Sequence, residues 1–143
     1  MTFFDRFGSW APYILGITRI LAGVMFALHG AQKTLGWFGG IPPGAPAWIV
    51  WGGGLIELIG GALIALGLFT RPVAFLCSGT MAVAYFYGHA RNASFFPTVN
   101  GGELAVVYCW LFLYIAAAGP GALALDNLLF RRRMAPALNG RAS

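Results

Sequence analysis

Arg19, His29, Lys33, Glu57 and Glu103 interrupt the apolar stretches that fill most of this 143-residue chain. A charged side chain at the middle of a membrane span costs roughly 2.5–3.5 kcal/mol on insertion scales, so it faces protein or a wet cavity and marks a candidate working site. At 100° per residue, Gly16, Arg19, Gly23, Phe26, Gly30 and Lys33 share one sector of a first helix, with His29 at its edge. Gly53, Glu57, Gly60, Gly61 and Ile64 share a face of a second helix. Small residues let a neighbouring helix approach closely, so both faces are expected to be packed, and Arg19 and Glu57 are expected to form a buried ion pair between them. That pair either fixes helix register or relays charge.

A second cluster gathers at the opposite ends of the helices. It comprises His29, Gln32 and Lys33, then His89 and Arg91, then Asn100 and Glu103. Histidine titrates near neutral pH and a carboxylate beside Lys or Arg stays ionised, so these ligand or proton-handling candidates suit anion binding or proton transfer at an interface. Trp37, Phe38, Trp48, Trp51, Tyr85, Tyr87, Phe95, Phe96 and Tyr108 lie around them. Such rings form an interfacial belt, or line a slot for a flat amphipathic ligand such as a quinone.

The elements that must position these groups follow from composition. With 59% hydrophobic residues, 9% charged and a mean hydropathy of +0.75, the chain is outside the soluble range. A span needs about 20 mostly apolar residues, and candidates lie at 13–35, 47–69, 71–90 and 103–119. The expected fold class is an all-α integral membrane protein, a single domain over 1–143 built as a four-helix bundle. Asp5 and Arg6 stand ahead of a full-length first span, so no cleaved leader is expected. Arg131, Arg132, Arg133 and Arg141 follow the fourth span, which predicts both termini on the cytoplasmic side and a basic tail over 126–143. The Asp126–Arg133 run reads as a topology anchor, or as a short interfacial helix facing anionic lipid. The basic run follows a span and lacks an aromatic-interleaved face, so nucleic acid is not an expected partner.

Metal is not expected, because the chain holds two histidines and no carboxylate at close ligand spacing to either. Cys77 and Cys109 show no CxxC spacing and read as core thiols. The strings Gly39-Gly40 and Gly52-Gly53-Gly54 read as loop and helix-start punctuation. No dinucleotide fingerprint, phosphate loop, nucleophile elbow or haem-attachment motif occurs. No covalently bound cofactor is expected, and redox chemistry would use a partner or a diffusible lipid-soluble carrier such as a quinone.

The ordered set of Arg19, then His29-Gly30-Ala31-Gln32-Lys33, Glu57 with Gly60-Gly61, Gly67 leading to Thr70-Arg71, Asn100-Gly101-Gly102-Glu103, and Gly119-Pro120-Gly121 before Leu125-Asp126 resembles the DoxX family of small bacterial membrane proteins. This chain has Ala124 where relatives often carry Ser. The resemblance implies a multi-pass protein of the bacterial inner membrane, described in the family as a quinone-linked oxidoreductase component, some relatives belonging to thiosulfate:quinone oxidoreductases or thiol-stress systems. It directs attention to His29, Lys33, Glu57, His89 and Glu103 and names no catalytic residue. Expected partners are the bilayer, membrane-associated redox proteins and, as a further option, copies of the same chain. The alternative function is a non-enzymatic scaffold or small-molecule transporter that recruits soluble redox partners.

Overall fold

The structure, a computed structural model, describes residues 2–41, 43–91 and 94–134. Among these the chain is helical, with no strand. Helix α1 (Phe3–Gly8) opens with a capping box, in which the Thr2 hydroxyl accepts from the Asp5 N–H and the Asp5 carboxylate accepts from the Thr2 N–H. The Thr2 backbone N–H and then its hydroxyl hold the Asp5 carboxyl below the usual carboxylate range. Helix α2 (Ala11–Leu35) has Pro12 in its first turn and stops at Gly36, which adopts the left-handed conformation at φ 70°. A π-helical segment, Trp48–Gly53, runs into α3 (Gly54–Leu66). Helix α4 (Thr70–Val83) runs into a second π-helical segment, Ala84–Ala90. A short turn, α5 (Pro97–Asn100), precedes α6 (Glu103–Ala118) and α7 (Leu125–Met134).

The expected boundaries agree closely with these helices, with one local correction. Gly52, Gly53 and Gly54 do not start the second long helix, which begins at Trp48; they sit where its π-helical turn tightens into α-helix. Two stretches, Ala11–Leu35 and Trp48–Leu66, are long and apolar enough to cross a bilayer. Helix α6 is apolar but has 16 residues, about 24 Å at 1.5 Å per residue against a hydrocarbon core of about 30 Å. The basic tail forms a helix to Met134, and residues 135–143, with Arg141, lie outside the described residues.

Glycine decides how α2 and α3 meet. A Cβ added at Gly23 would lie 2.5 Å from the Ala65 backbone N, and one at Gly30 would collide with the backbone of Leu58 and Gly54. The two helices therefore run antiparallel with backbones in direct contact. Helices α4 and α6 are tied by the Ser78 hydroxyl, which donates to the Cys109 carbonyl at 2.7 Å. Phe26, Phe112 and Tyr108 close the centre, with Phe26 and Phe112 edge to face at 4.8 Å and Tyr108 stacked on Phe112 at 5.4 Å. Cys77 and Cys109 are free thiols, Cys77 buried. The outer faces are apolar as well: Ile17, Leu21 and Met25 on α2, Leu55 and Ile59 on α3, Phe75 and Leu76 on α4, and Val107 and Trp110 on α6 are all exposed. Apolar faces of this extent require a nonpolar surrounding.

Gly30→Ala is expected to destabilise by about 1–3 kcal/mol, because the methyl meets backbone that no rotamer change can move. Gly52→Ala, at a position with nothing within 4 Å of the added carbon, is the control and should be no less stable than the parent. Unfolding in mixed micelles compares the two.

Candidate functional site

The α2–α3 register separates the two groups expected to pair. The guanidinium carbon of Arg19 lies 3.0 Å from the position of a Cβ on Gly67, and Gly30 lies over Leu58. Glu57 is thus level with His29, ten residues beyond Arg19 on α2, which is about 15 Å. An Arg19–Glu57 ion pair is absent for this reason. Both side chains are buried, Arg19 at 0% and Glu57 at 2% exposure, but each has other partners.

Arg19 serves the end of the molecule where α3 and α6 stop. Its Nε donates to the Pro120 carbonyl at 2.8 Å, Nη1 to Ile64 and Ala65 at 2.6 and 2.7 Å, and Nη2 to Ala122 and Leu123 at 3.3 and 2.8 Å. Carbonyls in the last turn of a helix have no partner within it, so Arg19 supplies both donors and a favourable charge to the α3 terminus. Arg71 does the same for α6 through the carbonyls of Ala116 and Ala117. Asp126 completes this end: its Oδ1 and Oδ2 accept from the N–H groups of Phe69 and Thr70, each at 2.8 Å, capping α4 from a distant part of the chain. Phe69 is held there at φ 49°, a costly conformation for an aromatic residue. Asp126→Ala is expected to cost about 1–2 kcal/mol, the scale of a lost helix N-cap, read as a lower unfolding midpoint with ligand binding at the other end unchanged.

Glu57 instead belongs to the second cluster. Lys33 Nζ donates to Glu57 Oε1 at 2.6 Å, the Lys33 side chain being 24% exposed and that of Glu57 3%. Two cavities meet at this pair. One, about 230 Å³, is lined by Phe26, His29, Lys33, Glu57, Met81, Ala84, His89, Gly101, Leu104, Ala105 and Tyr108. The other, about 200 Å³, shares Lys33, Glu57, Ala84 and His89 and adds Trp48, Ile49, Val83 and Tyr87. Together they reach the range of about 300–1,000 Å³ typical of small-molecule pockets. Both π-helical segments flank them, an irregularity that recurs at functional sites.

Glu57 Oε2 and the Tyr108 hydroxyl are buried and have no hydrogen-bond partner among the described residues. Buried polar atoms in native proteins are overwhelmingly paired, so these two orphans, both on residues that line one cavity, are candidates to bond a ligand or water; the Thr70 hydroxyl is a further orphan at the other end of the molecule. His29 meets the Tyr108 ring edge to face at 6.3 Å. His89 Nδ1 lies 3.2 Å from the Asn100 carbonyl, which orients its ring.

The remaining candidates play other parts. Asn100 shapes the loop before α6: its Nδ2 donates to the Ser94 carbonyl at 2.7 Å and its Oδ1 accepts from the Gly102 N–H at 2.8 Å. Tyr85 donates to the Phe95 carbonyl in the same loop. Arg91 is exposed and sits over the Tyr87 ring, 5.0 Å from its centroid, in a cation–π contact. Glu103 is exposed in the first turn of α6 and lines neither cavity, where its carboxylate favours the positive end of that helix. Gln32 reaches back to the Gly40 carbonyl at 3.1 Å and anchors the loop after α2.

From the sequence, Tyr108 stands among aromatics that either form the interfacial belt or line a slot, without being singled out, and Glu57 is assigned to Arg19. The glycine spacing held the missing signal, since Gly23 and Gly30 are seven apart, as are Gly54 and Gly61. Matching the two sets antiparallel puts Glu57 level with Ala27, within one turn of His29 and two turns beyond Arg19.

The DoxX family model matches residues 14–90. A Haemophilus influenzae protein is 45% identical over 133 residues, covering 87% of this chain and 96% of the relative. "Inner membrane protein YphA" of Escherichia coli is 31% identical, covering 89% and 97%. "Putative oxidoreductase CatD" of Bacillus subtilis is 30% identical, covering 80% and 86%. No solved structure matches the chain.

Proposed function

We propose, for a chain that belongs to the DoxX family and resides in the bacterial inner membrane, that it is the membrane component of a quinone-linked oxidoreductase. In this reading the chain crosses the bilayer four times with both termini in the cytoplasm, and the pocket around Lys33 and Glu57 opens toward the outer side. The observation that carries the reading is the pair of orphaned polar atoms, Glu57 Oε2 and the Tyr108 hydroxyl, on one cavity between apolar helix faces. A flat ring bearing oxygens at its edge matches those walls: Phe26, Met81 and Leu104 offer apolar surface, and Lys33, Tyr108 and His29 offer donors. The relative named as an oxidoreductase supports the redox half of the proposal.

The chain's own residues hold the ligand and handle protons, while the electrons pass between the quinone and a membrane-associated redox partner. Lys33 pairs with Glu57 and keeps further N–H donors available at the cavity wall. His29 and His89 line the same cavity, and an imidazole can both donate and accept a proton, so they suit proton exchange with solvent. Purified protein in proteoliposomes is expected to bind a short-tailed benzoquinone and to change the rate of quinol oxidation, with or without thiosulfate. Protein that does neither overturns the proposal. Partners that stay crosslinked to the tail after Lys33 and His29 are neutralised would favour a scaffold instead.

A further inference from the structure

We infer that the pocket at Lys33 and Glu57 selects the hydroxylated, reduced form of its ring ligand, a quinol or other aromatic hydroxyl, over the carbonyl-only quinone. The inference rests on the proposed quinone reading of the same site and adds to it the oxidation state that the protein prefers.

The reasoning starts from which wall groups donate and which accept. Lys33 Nζ carries three N–H donors, and one goes to Glu57 Oε1. The Tyr108 hydroxyl has a donor with no acceptor among the described residues. Both groups bond to a ring oxygen whether that oxygen is a carbonyl or a hydroxyl, so they do not separate the two oxidation states. Glu57 Oε2 does. As the carboxylate partner of Lys33 it only accepts, and its second oxygen is buried and has no hydrogen-bond partner among the described residues. A quinone brings no hydrogen to that oxygen and leaves it unsatisfied, whereas a quinol O–H donates to it.

A single hydroxyl meets both needs at once. Its hydrogen goes to Glu57 Oε2 and its oxygen accepts from Tyr108. The two residues line the same cavity and are not bonded to each other, and one bridging hydroxyl would pair both. Glu57 and Tyr108 become specificity residues of different kinds under this assignment. Tyr108 strengthens binding of either form, and Glu57 sets the preference between them.

The test measures affinity of the full-length protein in nanodiscs for a decyl-substituted benzoquinol and for the matching benzoquinone, each held anaerobically in its own oxidation state. The wild-type protein is expected to bind the quinol about tenfold or more tightly than the quinone, the scale of one hydrogen bond to a charged group. Tyr108→Phe should weaken both forms several-fold and leave their ratio unchanged. Glu57→Gln should bring the ratio to one or reverse it, because the amide N–H₂ donates to a carbonyl. Quinone bound as tightly as quinol by the wild-type protein overturns this inference and leaves the quinone reading standing. Binding of neither form overturns both. A ratio that survives in Glu57→Gln assigns the preference elsewhere and also overturns it. The wild-type ratio needs no variant to fold, so the inference stays testable if either substitution fails.

Discussion

Arg19→Met is expected to unfold this protein or to cost more than about 4 kcal/mol, a loss that single substitutions reach only by a specific structural failure. The reason is a complete match of donors to acceptors. A guanidinium has five N–H groups, and in this structure they meet the carbonyls of Pro120, Ile64, Ala65, Ala122 and Leu123. Hydrogen bonds to a charged group contribute about 1.5–3 kcal/mol each, and a buried carbonyl left without a donor costs about 1–3 kcal/mol. Methionine fills the space and supplies no donor. Arg19→Lys keeps the charge but offers three donors in a compact head, so about 2–4 kcal/mol of loss is expected. Unfolding by denaturant in mixed micelles measures both. A lysine variant as stable as the parent would show that charge alone, without the five-way geometry, holds this end together.

Lys33→Met is expected to cost about 3–5 kcal/mol, because it strands a carboxylate in the interior. Glu57→Gln should cost less. The asymmetry follows from burial: the Glu57 side chain is 3% exposed and Lys33 is 24% exposed, so the lysine head can turn toward water when its partner is lost and the carboxylate cannot. The double variant Lys33→Met/Glu57→Met should recover most of the stability, since apolar replacement of a whole buried pair is often neutral or favourable. It should bind no quinone or quinol. Stability regained together with binding lost separates the pair's chemical role from its packing role. The coupling from the double-mutant cycle is expected above about 1 kcal/mol, and additive single effects would show that the two groups do not pair.

Much of the helical layout was legible in the residues because hydrophobic length is a one-dimensional property. The first long helix was expected over 13–35 and runs Ala11–Leu35, and the second was expected over 47–69 and runs Trp48–Leu66. Of the glycine faces identified from phasing, Gly23, Gly30 and Gly61 meet in the α2–α3 contact, whereas Gly16 packs on Ala122, Gly60 on Cys77, and Gly53 has nothing within 4 Å of an added Cβ. The polar groups were harder. Arg19 and Glu57 were correctly placed in the interior, yet their pairing depended on how far α3 slides along α2. Depth counted separately on each helix does not fix that slide. His29, Lys33 and His89 were named together and line one pocket, whereas Glu103 and Arg91, as near in sequence terms, face away from it. One residue of helical phase, 100°, separates a group that lines a cavity from one that leaves it.

The sequence by itself determined the solvent of this protein, its helices, the close α2–α3 contact and the set of residues able to do chemistry, because hydropathy, small-residue spacing and side-chain type are local properties. The tertiary structure decided which charge meets which. Backbone contact at Gly23, Gly30 and Gly61 sets the α2–α3 register, and that register gives Glu57 to Lys33 and leaves Arg19 to the carbonyls of helix ends and of a turn about a hundred residues away. It also left Glu57 Oε2 and the Tyr108 hydroxyl, on residues that line one cavity, without a partner among the described residues, a fact that exists only when α2, α3, α4 and α6 are assembled, since whether a donor finds an acceptor depends on three-dimensional distance.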